Sequence, residues 1–183
     1  RQDHHKVDND LPKSYAHINP SRNEDNSGLN DLAAVGLTFI FVVGLRRAIR
    51  DKNIFPDIQE PSLKQFLDLV ALGTVCDVVQ LKGLNRAFVK EGIEIISKNT
   101  RLGIDGLRSI SGSKEIGVTE LGYRIGPRIN AAGRTGASDL GVRLLTSRSE
   151  DEVLAISERL DNLNKQRQNI EETVLFEAIN SIE

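Results

Sequence analysis

The chain has 183 residues, with 24 Lys+Arg against 26 Asp+Glu, one cysteine, and neither Met nor Trp. That length supports one domain with a real core, and a 39% hydrophobic, 27% charged balance belongs to a globular chain rather than a disordered one. A net charge of −2 excludes a histone-like polycation, though not a local basic surface, and one cysteine excludes a disulfide framework or a cysteine-based zinc site. A reducing cytoplasm is the expected compartment, and no signal peptide is expected. The opening Arg1-Gln2-Asp3-His4-His5 and the close on Asn180-Ser181-Ile182-Glu183, inside a helical pattern, both read as cut ends. A piece of a longer polypeptide is expected.

In chain order, Tyr15 to Pro20 reads as a short strand ending in a turn, and residues 21–28 as a polar surface loop. The longest apolar run, Ala33 to Leu45, has 13 residues, where a membrane span needs roughly 20. Residues 30–52 are therefore expected to form a buried helix with a basic, solvated end at Arg46, Arg47 and Arg50. Its glycines, Gly36 and Gly44, mark one face for close approach of a neighbour. Pro56 and Pro61 bracket a loop. Ser62 is the expected cap of a helix through Phe66, Leu67, Leu69 and Val70 that ends near Gly73. Thr74 to Val79 follows, β-branched and apolar around a single carboxylate, Asp77.

Helices are expected over residues 85–98 and 102–110, with a linker at 111–113 and a short helix from Thr119 through Ile125. Gly126-Pro127-Arg128-Ile129-Asn130-Ala131-Ala132-Gly133-Arg134 reads as irregular backbone set by its proline and glycines. A helix carrying Leu140, Leu144 and Leu145 follows. From Ser149 onward lies one long helix whose narrow stripe is Val153, Ile156, Leu160, Leu163, Ile170 and Val174. Such a stripe suits a connector between domains.

Three clusters carry chemistry. In Asp3-His4-His5, one imidazole can bind a metal while the other faces a substrate, and Asp3 can orient a ring as acceptor. Asp77 sits in an apolar run, where a carboxylate demands a cation, a metal, or a turn to cap. Between Thr119 and Arg148 the basic residues are Arg124, Arg128, Arg134, Arg143 and Arg148, against Glu120 and Asp139, a local excess of 5 − 2 = 3. Arginine grips phosphate oxygens bidentately, so Arg128, Asn130 and Arg134 form a candidate phosphate-backbone surface. The alternative is a solvated loop with arginine stems packed on the core. Cys76 reads as a small buried residue. Asp8-Asn9-Asp10 hints at calcium but lacks the loop glycine and distal Glu.

Together and in this order, these pieces resemble the DHH phosphoesterase superfamily and, within it, the RecJ-type single-strand-specific exonucleases. Asp3-His4-His5 matches the motif that names the superfamily. Leu69 to Val79 is similar to the segment bringing the fourth-motif aspartate, and Gly126 to Arg134 to the RecJ signature. The resemblance implies an α/β fold: residues 1–148 as the C-terminal part of a DHH-type parallel-sheet catalytic domain, helix-dominated here, and 149–183 as the start of an interdomain connecting helix. It implies a two-metal phosphodiesterase using Mn²⁺ or Mg²⁺ and acting on single-stranded DNA from the 5′ end in repair and recombination. His4 and Asp77 would be metal ligands, Asp3 and His5 catalytic, with His5 beside the scissile phosphate. Arg128, Asn130 and Arg134 would hold DNA. It also implies partners such as a single-strand-binding protein or a helicase, and no membrane. The family's Asp-x-Asp motif and second-motif aspartate would lie before Arg1, so weak metal binding and no useful catalysis are expected of this chain alone. The rivals are a DHH oligoribonuclease or phosphatase and a catalytically inactive DNA-binding relative.

Overall fold

The structure, a computed structural model, describes residues 2–6, 13–98, 101–134 and 136–182, without the side chain of Arg134. Asp8-Asn9-Asp10 lies outside the described residues. The chain divides into two compact units, Arg1–Ile95 and Ile96–Glu183. It is 64% helical, as a helix-dominated segment requires. Among the described residues the extended pairing is one isolated parallel bridge, Gln2 with Ile18, extended by the Asp3 N–H donating to the Ile18 carbonyl at 3.1 Å. The expected strand at Tyr15 to Pro20 is thus a single bridge followed by a turn.

The first unit is built on α1 (Ala34–Asp51), a 3₁₀ turn (Leu63–Phe66) running directly into α2 (Leu67–Cys76), and α3 (Gly83–Ile96). α2 is the centre. Leu67, Val70, Ala71, Leu72, Thr74 and Val75 are all buried, so its apolar character all round is what a surrounded helix requires. The helix does not stop near Gly73. It runs on through Thr74 and Val75, because burial outweighs the modest helix penalty of β-branched residues. Ser62 makes no side-chain cap; the 3₁₀ turn supplies the entry instead.

α1 is not the buried helix expected. Only Gly36 and Leu37 are buried, while Phe41 and Leu45 are about half exposed. Nor are Gly36 and Gly44 the close contacts: a Cβ on Gly44 would meet nothing, and one on Gly36 only Leu32 of its own entry. The approaches occur where α2 is gripped. A Cβ on Gly73 would meet Val35 Cγ1 at 2.8 Å, and one on Gly92 of α3 would run into the Leu67 carbonyl and into Ala71 Cβ. Phe39 and Phe88 add an edge-to-face pair at 5.5 Å between α1 and α3.

The second unit holds α4 (Leu102–Ile110), α5 (Val118–Glu120), a π turn (Leu121–Ile125), α6 (Gly126–Arg134), α7 (Leu140–Thr146) and α8 (Glu150–Asn180). α4 and α6 pack on α8, and Ile104, Leu107, Leu121, Ile125, Leu144 and Leu160 form the core. Ser149 caps α8 by accepting from the Glu152 N–H at 3.3 Å, and three acidic residues in the first turn suit the helix dipole. The apolar stripe of α8 is buried at Val153, Ile156 and Leu160 but exposed at Ile170 and Val174. No helix of the described residues is long and apolar enough to cross a membrane.

Candidate active site

Asp3, His4, His5 and Asp77 come together in the first unit. Asp77 is the C-cap residue of α2, its N–H bonded to the Gly73 carbonyl at 3.0 Å. It stands at a helix end, not in a strand. The next residue, Val78, has φ +58, so a β-branched side chain occupies the left-handed position that usually takes glycine. The negative end of the α2 dipole and the Asp77 carboxylate share one place, which favours a cationic neighbour there. The His4 imidazole stands at that place, its Nδ1 3.3 Å from Asp77 Oδ2 and its side chain 13% exposed.

Asp3 organises the pair. Its Oδ1 accepts from the His4 N–H at 2.8 Å, the His5 N–H at 3.2 Å and His5 Nδ1 at 2.8 Å. The His5 ring bond, then the two backbone N–H bonds, hold the Asp3 carboxyl well below the usual carboxylate range. An ionised carboxylate only accepts, so His5 carries its proton on Nδ1 and presents Nε2 away from Asp3. The two rings meet edge to face at 4.3 Å, 75° apart, so the histidines aim at different targets. His5 is the open one, 78% exposed.

His4 Nδ1 and Asp77 Oδ2 are an imidazole and a carboxylate already converging, a donor set that fits a divalent cation such as Mn²⁺. Among the described residues no cluster of three such donors occurs. Cys76 is no nucleophile: burial, and then the charge of Asp77, push its thiol up to about 11.

Arg128, Asn130 and Arg134 lie in the second unit, on α6. The signature run is helical, not irregular. The π turn just before it widens the backbone ahead of Pro127, which lacks an N–H and whose ring needs room, so the helix resumes without a break. Asn130 is exposed. Arg128 is not projected outward. Its Nε and Nη2 lie 2.8 and 2.7 Å from Asp161 Oδ1, and its Nη1 donates to the Arg124 carbonyl at 2.6 Å. Asp161, 7% exposed, also meets Lys165 at 2.7 Å. Two of the five arginines are thus ion-paired, since α8 brings Asp161 to Arg128 and Glu152 to Arg143, while Arg124 donates to the Ser111 carbonyl. Asp161 escaped the sequence reading because its partner is 33 residues away; the one signal was an acid flanking the buried stripe position Leu160.

No protein-family model matches the chain. It is 38% identical over 182 residues, 97% of its length, to the single-stranded-DNA-specific exonuclease RecJ of Salmonella typhimurium. The chain spans 32% of that relative. Among solved structures, RecJ from Thermus thermophilus in complex with Mn²⁺ superposes with a TM-score of 0.81 at 31% identity, over 96% of this chain and 25% of that one. The Mg²⁺ complex of RecJ from the same organism gives 0.65 at 32% identity, over 86% and 23%. Sequence and fold thus agree along nearly the whole chain in their similarity to RecJ, and the chain spans between 17% and 32% of the curated relatives it matches.

Proposed function

We propose that this chain is part of the catalytic segment of a metal-dependent phosphodiesterase that degrades single-stranded DNA from the 5′ end. The observation that carries the reading is the convergence of His4 Nδ1 and Asp77 Oδ2 at 3.3 Å, beside a His5 whose ring is fixed by Asp3. His4 and Asp77 would hold Mn²⁺ or Mg²⁺, the ions bound in the related structures. Such an ion, when bound, polarises phosphoryl oxygens and lowers the pKa of a coordinated water. Asp3 keeps His5 in one tautomer, and the free Nε2 exchanges a proton or hydrogen bond with the scissile phosphate. Asn130 and Arg134 contact the DNA backbone. Arg128, held by Asp161, contributes through the N–H groups its ion pair leaves over.

The parallel sense of the Gln2–Ile18 bridge supports a segment at the margin of a parallel sheet, with residues 1–148 belonging to that DHH-type α/β domain. The exposed second half of α8 supports the connector reading of residues 149–183. A cytoplasmic setting, and a single-strand-binding protein or helicase as partner, complete the proposal. By itself the chain binds metal weakly and lacks useful catalysis. The test is His4→Ala and Asp77→Ala in the longer polypeptide carrying this segment, assayed on 5′-labelled single-stranded DNA with Mn²⁺. Both should lose activity; wild-type rates in either would refute its ligand role. A preference for dinucleotides over long strands would point to an oligoribonuclease instead, and inactivity of the unmutated protein to a DNA-binding relative.

A further inference from the structure

The backbone of the histidine pair is held by side chains, not by secondary structure. The N–H groups of His4 and His5 both go to Asp3. Their carbonyls go to one turn, Asn19-Pro20-Ser21: Ser21 Oγ donates to the His4 carbonyl at 2.9 Å, and Asn19 Nδ2 to the His5 carbonyl at 3.0 Å. Asn19 Oδ1 in turn accepts from the Ser21 N–H at 2.8 Å, so the two clamp residues brace each other. Pro20 between them is buried and restricted in φ. The turn is tied to the same strand-like pair, because Ile18 accepts from the Asp3 N–H.

We propose that Asn19 and Ser21 are positioning residues that hold His4 and His5 in register for the metal and the substrate. All four backbone polar groups of the dipeptide are then satisfied without a helix or sheet, and both Cα–Cβ directions are set. A peptide at the start of an irregular segment otherwise has two soft torsions per residue, and a metal ligand tolerates little displacement. Outer partners of metal ligands typically change metal affinity by about 10–100-fold when removed. The inference rests on the metal reading of His4.

The experiment measures Mn²⁺ binding to the longer polypeptide carrying this segment by electron paramagnetic resonance of the free ion, each variant being checked for helix content by circular dichroism. Ser21→Ala deletes the donor to His4. Asn19→Asp keeps the acceptor for the Ser21 N–H but deletes the donor to His5, so the turn is retained while one clamp goes. Each should weaken Mn²⁺ binding by about tenfold. Ser21→Thr, which keeps the hydroxyl, should restore it. Ser27→Ala, whose hydroxyl bonds within its own loop to Asp25 and the Leu29 N–H, should leave it unchanged. If His4→Ala abolishes binding while Ser21→Ala and Asn19→Asp bind as the parent does, the clamp is refuted and the metal reading stands. If the parent takes up no Mn²⁺, or His4→Ala retains it, the metal reading falls and the clamp with it. Should Ser21→Ala fail to fold, Asn19→Asp decides alone.

Discussion

Asp161→Leu removes the carboxylate that two nitrogens of Arg128 share on one oxygen. The guanidinium, 15% exposed, is then left charged against the α6–α8 contact. Breaking a buried pair by deleting one partner costs about 3–5 kcal/mol. Arg128 keeps its bond to the Arg124 carbonyl and some water contact, so the lower end, about 3 kcal/mol, is expected. Arg128→Met should cost less, about 1–2 kcal/mol, because Lys165 still neutralises Asp161 from its other oxygen. In the double variant no charge is stranded between the helices, and apolar replacement of a buried pair is often close to neutral. With the double variant near neutral, the cycle yields a favourable coupling close to the sum of the two single costs, about 4–5 kcal/mol. Urea unfolding followed by circular dichroism measures all four species. A coupling below about 0.5 kcal/mol would mean the two residues act independently, and the ion pair would not be what ties α6 to α8.

Acid should expose the same pair. Burial raises the Asp161 carboxyl, but bonds and charge from Lys165 and Arg128 outweigh it and set it below the ordinary 3.8. Its stabilisation is thus full above that value and is lost as pH falls through the lower folded one, so Asp161→Leu should flatten the acid loss of stability below about pH 4 in a urea series. Gly103→Ala drives a Cβ into the Leu144 carbonyl and should cost about 1–3 kcal/mol, whereas Gly133→Ala meets nothing and should be neutral or stabilising by about 0.4–1 kcal/mol; thermal unfolding separates them. Val78→Gly relieves a left-handed β-branched residue and should stabilise the first unit by about 1 kcal/mol in urea unfolding. Arg134→Ala should reduce the slope of log affinity for single-stranded DNA against log salt by about 0.7; an unchanged slope would exclude a phosphate contact.

Local pattern carried much of the organisation. α4 matches its sequence-read boundaries, and α8 opens at the Ser149 cap, because cap chemistry and apolar spacing are local properties. Asp3-His4-His5 and the lone carboxylate of Asp77 were legible as chemistry because ionisable groups in such contexts demand partners. What the β-branched, apolar run Thr74 to Val79 and the signature run Gly126 to Arg134 become was not legible. Thr74 to Cys76 continue a helix because α2 is buried on nearly every side, Asp77 closing it, and the second run is helical because a π turn makes room for Pro127. The glycines that matter, Gly73, Gly92 and Gly103, differ from Gly36 and Gly44 only in what lies opposite them. Pairing is the common reason. His4 finds Asp77, Ser21 finds the His4 carbonyl and Arg128 finds Asp161 across long separations, and which donor meets which acceptor there is decided by tertiary packing. Residue types state what each group needs; the folded chain alone settles whether that need is met by a neighbour or left for a ligand.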